Sequence, residues 1–368
     1  MCYKKINFET PPEAGDCAPQ ELKQVNLRIV HKISICGLFA VALLTTRQLS
    51  AQYLTLEGQT GGFLTPTAYV VESAKGKVFS HPAAGFHFIG SAAVIGNIET
   101  FSVTEGFANR AEVGYTRSVH QNGNQMTTGL GLSNLWDYNG MNVFHGKAVL
   151  VRDGQFGPAM PGIAVGGVVR IDDHFVSGAA SKILTDIDKS YTNGDVYIAV
   201  TKTWAKKPVP FLANVGWKAT NATIFGIGGQ STRFGGRLFG GLGIPLPLVH
   251  GIVAVPSAGF TQEPKTSVNL NNLLNAALYQ CELASLCNPA SYPLMSSHLP
   301  TTLDYAVRVT QREHPHFAFD IGVGQVAGNI GSIWVTNPYY PTLGPPIVPQ
   351  PVNLEARHVV GMGLSYRY

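Results

Sequence analysis

Apolar and polar residues alternate with period two in many separate segments of the chain. In the clearest segment, 302–312, Tyr305 and Val307 share one face. The charged residues Asp304 and Arg308 share the opposite face. Because successive side chains of a β-strand point to opposite faces, the pattern predicts strands with one apolar and one polar face.

Twelve segments show this alternation, and each is predicted to be a strand. They span 84–95, 98–107, 110–119, 142–152, 162–172, 195–204, 210–220, 233–244, 251–262, 302–312, 316–326 and 358–368. Short connections at 108–109, 205–209, 245–250 and 313–315 alternate with long ones at 120–141, 173–194, 263–301 and 327–357. The link at 153–161 is intermediate in length, and the link at 96–97 breaks the rule. An even number of strands with short turns at one end is typical of bacterial outer-membrane barrels. We predict an all-β fold: a transmembrane, antiparallel, up-and-down β-barrel with long extracellular loops.

The end of the chain favours the barrel over a soluble β-sandwich or β-helix, which would show the same alternation. Apolar and aromatic residues alternate from Val360 to the last residue. Gly363, Tyr366 and Tyr368 resemble the C-terminal assembly signal of outer-membrane barrels, with a glycine, two free positions and aromatics at the antepenultimate and final positions. The resemblance implies insertion by the barrel-assembly machinery into outer-membrane lipid.

The N-terminal region has the layout of a cleavable signal peptide. An uncharged run, 33–44, follows the basic residue Lys32 and precedes a small-residue site that ends at Ala51. The run is too short to span a membrane as a helix, so we predict cleavage after Ala51 and a location in the bacterial outer membrane. For residues 1–27, a start codon assigned too far upstream is favoured over a functional extension. The predicted regions are 1–51, extension plus signal peptide; 52–82, a periplasmic or luminal segment; and 83–368, the barrel.

Composition agrees with an exported β-protein. Of the 368 residues, 13% are charged, whereas soluble domains average about 25%. The net charge of +4 is too small and too scattered to indicate nucleic-acid binding. Beyond the signal peptide only Cys281 and Cys287 remain, and in an exported protein we expect this pair to form a disulfide. A metal site is the alternative, but it needs four ligands and only His298 lies near.

Three short stretches, Leu56–Gly62, Met160–Gly166 and Asp195–Lys202, carry a family resemblance. They resemble an uncharacterised family of Gram-negative proteins, a domain of unknown function that is predicted to form outer-membrane β-barrels. The resemblance extends over most of 53–368. It implies the barrel fold, and because the family has no established activity it implies no site residues.

Charged residues of both signs fall on the predicted inner face of the barrel. They are Arg110, Glu112, Arg170, Asp172, Asp304, Arg308, Arg312, Asp320 and Arg367. Such side chains could line a solute path, since rings of charge tune conductance and selectivity. They could equally pair across the lumen and close it, because so few strands enclose only a modest interior. The segment 52–82 could be a luminal plug or a periplasmic tail, and a tight bend is predicted at 61–67.

Catalytic chemistry has little support in the sequence. Ser118 and His145 lie on neighbouring predicted strands, but the chain has no Gly-x-Ser-x-Gly elbow. We therefore expect no enzymatic activity, no metal and no cofactor.

The function predicted from these features is that of a pore or channel for passive passage of a small solute. The alternative is a structural or surface-interaction barrel with a largely filled lumen. In that case the long extracellular loops, especially 263–301, would bind a partner. An enzyme is the third candidate.

Overall fold

The structure is a computed structural model that covers most of the chain after the predicted signal peptide. It describes residues 53–90, 96–121, 138–173, 192–204, 210–226, 229–264, 271, 274–311, 316–326, 329–353 and 357–367. The predicted extension and signal peptide, 1–51, lie outside the described residues. Among the described residues, no helix is both long and apolar enough to cross a membrane.

The strands form a closed antiparallel barrel. The described part of the chain contains β1 Ala83–Gly90, β2 Asn97–Phe107, β3 Ala111–Gln121, β4 Tyr138–Val151, β5 Gly162–Asp172, β6 Asn193–Trp204, β7 Phe211–Ala222, β8 Gln230–Gly243, β9 Leu246–Pro247, β10 Ile252–Thr261, β11 Thr302–Gln311, β12 Phe317–Val326, β13 Asn329–Thr336, β14 Ile347–Asn353 and β15 Arg357–Arg367. Twelve of these make up the wall, and the pairing of β10 with β11, β12 with β15 and β15 with β1 closes the ring. A closed sheet pairs its backbone groups without leaving an exposed edge. The short strand β9 lies beside β10, and β13 and β14 form a separate hairpin.

The connections define two ends of the barrel. The turn end carries the start of β1, the end of β15 and the links 108–110, 152–161, 205–210, 244–251 and 312–316. The loop end carries the links 91–96, 122–137, 173–192, 223–229, 262–301 and 327–356. All of the long connections therefore lie at one end, as the sequence predicts.

The two faces of the wall differ in chemistry. Large apolar side chains point outward and are exposed, among them Phe101, Val113, Val169, Trp217, Leu242, Tyr305, Phe319 and Leu364. Polar side chains point inward and are buried, among them Thr100, Thr116, His145, Lys147, Arg170, Thr201, Asn214, Asp304 and Asp320. Soluble proteins rarely expose so large an apolar surface, whereas membrane barrels carry an outward apolar band. The outer belt is therefore a surface suited to lipid.

All twelve predicted barrel strands are confirmed, with two notable differences in their bounds. The first strand is predicted to reach residue 95 but ends at Gly90, and residues 91–95 lie outside the described residues. The fourth is predicted from 142 but begins at Tyr138, because it pairs with β3 as far as Gln121. Pairing with a neighbour thus extends a strand past the point where its own alternation stops.

Two segments predicted as loops contain regular structure. The segment 263–301 includes the helix α1, Ala276–Leu283, and the segment 327–357 includes the β13–β14 hairpin. The prolines of 338–351 read as a loop signal, but Pro349 and Pro351 lie within β14. A two-stranded hairpin tolerates them because each strand has a free edge, where a missing N–H costs no hydrogen bond.

The helix and the hairpin are packed together at the loop end. The indole Nε1 of Trp334 on β13 donates a hydrogen bond to the carbonyl oxygen of Pro293, at 3.1 Å. Cys281 and Cys287 are joined by a disulfide, with their Cα atoms 5.5 Å apart. We call the described residues 274–301 and 329–353 the cap.

Candidate functional site inside the barrel

The inside of the barrel is occupied by the segment that precedes β1. Leu54 and Thr60 of this segment are fully buried. Backbone bridges join Leu54 to Thr60 and Gly61 to Pro66, so the chain folds back on itself within the lumen. We call residues 53–73 the plug.

Glycine is required at the tightest bend of the plug. A Cβ atom on Gly61 would collide with the backbone oxygen of Thr65 and would lie 2.9 Å from Cα of Pro66. The bend is closed by a backbone hydrogen bond of 2.9 Å, in which the N–H of Gly62 donates to the carbonyl oxygen of Thr65. The bend predicted at 61–67 is therefore present.

The first contact between plug and wall is a buried ion pair on β3 and β4. Glu112 accepts hydrogen bonds from the backbone N–H groups of Thr60, at 2.9 Å, and Val71, at 3.1 Å, and from the Thr60 hydroxyl. Lys147 faces Glu112 across the two strands. It pairs with Glu112 at 2.9 Å and donates to the carbonyl oxygen of Thr60 at 2.8 Å. Because buried charges are stable only when paired and hydrogen-bonded, this cluster ties the plug to the wall.

The second contact is a buried arginine on β5. Arg170 donates two hydrogen bonds to the carboxylate of Glu57 in the plug, at 2.5 and 2.9 Å. It also donates to Asp195 on β6, at 2.7 Å, and to Asn193, at 3.3 Å. A two-pronged guanidinium–carboxylate contact fixes orientation as well as distance. The turn of the plug around Glu57 is therefore held in one place.

A third contact lies near the turn end. The hydroxyl of Tyr69 donates to the carboxylate of Asp153, at 2.9 Å, and shares a hydrogen bond of 2.6 Å with Thr203. Lys202 forms an ion pair with the same Asp153 at 2.6 Å. Burial raises the pKa of the Tyr69 hydroxyl above its ordinary value. The hydroxyl therefore stays protonated and able to donate.

A fourth contact joins the plug to β11 and β12. Arg308 donates two hydrogen bonds to Asp320, its partner in register, at 2.6 and 2.9 Å, and a third to the carbonyl oxygen of Gly61, at 3.0 Å. The Arg308 guanidinium also lies over the ring of Tyr53, 4.7 Å from its centre. The Tyr53 hydroxyl donates to Thr310 at 2.7 Å.

The plug does not fill the lumen completely. A cavity of about 90 Å³ remains between the plug and the inner face of β7, β8, β10 and β11. Small residues form much of its wall, namely Gly241, Gly243, Ser257, Gly259 and Ala306. Phe63 of the plug and Asp304 of β11 also line it. Among the described residues, no hydrogen bond joins the plug to the stretches of β8 and β10 that border this cavity.

Comparisons with known proteins return distant structural similarities. No family model matches the chain, and no curated protein matches its sequence. Among solved structures, the KdgM porin in complex with disordered oligogalacturonate aligns with a TM-score of 0.38 and 9% identity, over 78% of this chain and 99% of that one. The beta domain of the Bordetella autotransporter Brka aligns at 0.34 and 12% identity, over 79% and 100%. OprB of Pseudomonas putida aligns at 0.29 and 8% identity, over 74% and 59%. These likenesses concern fold alone, and membership of the uncharacterised barrel family stays a prediction.

The predicted pore-lining residues have different outcomes. Buried side chains on the inner face belong to Glu112, Arg170, Asp304, Arg308 and Asp320. Arg367 lies at the turn end of β15 and donates to the carbonyl oxygen of Glu72 at 2.5 Å. Arg110 lies in the tight turn just before β3, not in the strand as predicted, and its guanidinium donates to backbone carbonyl oxygens at the end of β4. Arg312 and the side chain of Asp172 lie outside the described residues. A pore-lining role stays a prediction for each inner residue.

Sequence reasoning missed five charged residues of the site, including Asp153 and Lys202 of the third contact. Lys147 lies in a predicted strand and faces Glu112, so the β3–β4 register would have identified it. Asp195 shares its face with the buried Tyr197 and was identifiable from the same alternation. Glu57 lies in a segment without periodicity, and no sequence signal points to its contact with the wall.

The predicted assembly signal lies on the last strand. A Cβ atom on Gly363 would lie 2.5 Å from Cδ2 of His87, so the glycine makes room for a buried ring. Tyr366 packs against Phe317, with ring centres 4.7 Å apart. Tyr368 lies outside the described residues. The role of these residues in assembly stays a prediction.

The side chains considered for catalysis do not meet. His145 faces Gly114 across β3 and β4, whereas Ser118 faces Met141. The Nε2 atom of His145 lies 3.2 Å from the hydroxyl of Thr104 instead. Within the described ranges, no group of three His, Cys, Asp or Glu side chains is placed to hold a metal.

Proposed function

We propose that this protein is a bacterial outer-membrane barrel through which a small solute passes when the plug moves. The closed ring and its outward apolar belt support insertion into a bilayer. In bacterial barrels the short turns are periplasmic, so the cap would be extracellular. The predicted signal peptide agrees with this location.

The observation that carries the proposal is the plug inside the lumen. Buried ion pairs fasten the plug to the side of β3 to β6, and a cavity of about 90 Å³ lies on the other side of the plug. A single water needs about 10–15 Å³ by a comparable measure, so the cavity can hold a small molecule, while the buried plug occupies the lumen beside it. Passage therefore requires displacement of the plug, which the link 74–82 would keep tethered to β1.

A disulfide between the plug and the wall tests this proposal. A Cβ atom on Gly162 of β5 would lie 3.5 Å from Cβ of Ala68, within the range of about 3.5–4.5 Å found in disulfides. The double variant Ala68→Cys/Gly162→Cys should therefore lock the plug when oxidised. We expect single-channel steps in a planar bilayer from the reduced variant and none from the oxidised one.

The unmodified protein, given the same oxidant and reductant, controls for effects on the Cys281–Cys287 bridge. Equal conductance of the oxidised and reduced variant would contradict gating by the plug. Silence of the unmodified protein and of both forms of the variant would refute passage altogether.

A surface-interaction barrel is the second candidate, and the cap is the observation that favours it. The cap is braced by the Cys281–Cys287 disulfide and by the packing of Trp334. It exposes large apolar side chains such as Tyr339 and Leu343. In this alternative the plug serves only to stabilise the barrel from within. Absence of conductance in the unmodified protein and in both forms of the variant would favour this alternative.

A further inference from the structure

Asp304 is a buried carboxylate without a charged partner. The residue is 5% exposed, lies on the inner face of β11 and lines the cavity. Its Oδ1 atom has no hydrogen-bond partner among the described residues. A buried carboxylate without a partner keeps its charge only at a cost in free energy, so a positive group from outside the chain would stabilise it.

The wall is shaped around this carboxylate. Gly259 on β10 faces Asp304 in register. A Cβ atom on Gly259 would collide with Oδ1 of Asp304. The glycine therefore makes the space into which the carboxylate projects.

The neighbouring polar groups are already satisfied. Arg308 is bound to Asp320 by two hydrogen bonds and to the carbonyl oxygen of Gly61 by a third. The hydroxyl of Ser257 donates to a backbone carbonyl of β11 at 3.2 Å. The charges of Arg308 and Asp320 cancel, so ionisation of Asp304 gives the cavity a net negative charge.

We propose that the cavity binds a small organic ammonium ion with Asp304 as its counter-ion. The rest of the lining is largely apolar, with Phe63, Leu212 and Val255 around the space. A hard metal ion such as Ca²⁺ takes six to eight oxygen ligands, which this lining does not supply. One carboxylate in a cavity that Phe63 also lines suits an organic cation, because ring faces attract positive charge.

This inference deepens the proposed function, since the ammonium ion would be the solute that passes. Binding itself can be measured without conduction. The full-length protein, folded in detergent micelles, is titrated by calorimetry with tert-butylammonium chloride and, separately, with tert-butanol as a neutral analogue of similar shape. We expect the ammonium ion to bind and the alcohol not to bind. Asp304→Asn should weaken ammonium binding roughly tenfold or more, because the buried counter-charge is lost.

Two further variants complete the test. Glu105→Gln removes a carboxylate from the exposed outer face of β2 and should bind tert-butylammonium as the unmodified protein does. Ala306→Val keeps Asp304 but narrows the cavity, so it should weaken binding even if Asp304→Asn fails to fold. Unchanged affinity in both Asp304→Asn and Ala306→Val, or equal binding of the alcohol, would overturn the proposal. If the protein binds ammonium but shows no conductance in a bilayer, the binding site is supported and passage is refuted. If it conducts but does not bind ammonium, passage is supported and the binding site is refuted.

Discussion

The plug meets two sides of the barrel in different ways. On β3 to β6, which we call the anchor wall, plug atoms contact the buried charges of Glu112, Lys147 and Arg170. On β8, β10 and the part of β11 around Ala306, which we call the cavity wall, small residues leave open space. Ion pairs fix geometry because an unpaired buried charge is costly, whereas small side chains leave freedom to move. The plug is fastened by buried charges along one side and borders open space along the other.

The two walls should therefore affect different properties, namely the stability of the barrel and the movement of the plug. Contacts on the anchor wall should determine how stable the filled barrel is. The cavity wall offers the plug room to move and offers a solute a place to bind. Substitutions on the two walls should therefore have different consequences, and three pairs of variants test this, in order of expected effect.

The largest effect is expected from Glu112→Gln. The change leaves Lys147 buried without its counter-charge and weakens the bonds to Thr60 and Val71. Loss of one partner of a buried pair costs about 3–5 kcal/mol, and we expect a fall of that size in the free energy of unfolding. Urea unfolding in detergent micelles, followed by tryptophan fluorescence, measures it.

Replacing both partners distinguishes the lost pair from other damage. Glu112→Gln combined with Lys147→Met should recover much of the stability, because no buried charge is left unpaired. A double variant as unstable as the single one would show that the ion pair is not what holds the plug.

An intermediate effect is expected from adding the same two methyl groups to each wall. Ala199 on β6 is fully buried in the packed core, so Ala199→Val should overpack it and cost about 1–3 kcal/mol. Ala306 belongs to the same buried cluster but also borders the cavity, so the added methyl groups of Ala306→Val can extend into open space and should cost less than those of Ala199→Val. Equal losses in the same urea experiment would mean that the two walls are packed alike.

The smallest effect is expected from two tyrosine hydroxyls of the plug. Tyr53→Phe removes one hydrogen bond, and Thr310 keeps another to the carbonyl oxygen of Phe317 at 2.8 Å. Its expected cost is about 1 kcal/mol. Tyr69→Phe removes contacts to both Asp153 and Thr203 and should cost roughly twice as much. Thermal unfolding monitored by circular dichroism would measure both losses of stability. A larger loss for Tyr53→Phe would mean that the contact with β11 holds the plug more firmly than the contact of Tyr69 does.

The barrel strands were predictable because their pattern is local. A residue such as Tyr305 faces outward and Asp304 faces inward by position alone, and apolar and polar surroundings select matching side chains. The β14 strand was not predictable in this way. Pro349 and Pro351 are tolerated there by the free edge of a hairpin, a feature of the assembled structure.

The candidate site was predictable only in part. Alternation along β11 places Asp304 and Arg308 on the inner face, and that prediction is confirmed by their burial. Which of them has a partner depends on Asp320 of a neighbouring strand and on where Gly61 of the plug lies. Such contacts between distant segments leave no periodic trace in the sequence.

The end of the plug and the link that follows it also contact the barrel wall where the first and last strands meet. Of the neighbouring strands in the described barrel, β1 and β15 are the pair that no chain connection joins. Across this seam, Arg367 of β15 donates to the carbonyl oxygen of Glu72, and the N–H of Ser80 donates to the carbonyl oxygen of Gly106 on β2. The stretch from Glu72 at the end of the plug to Ser80 therefore bridges the joint between the first and last strands of the barrel. Deleting the plug together with this stretch would weaken the β1–β15 joint as well as empty the lumen. The disulfide between plug and wall therefore tests gating more cleanly than a truncation.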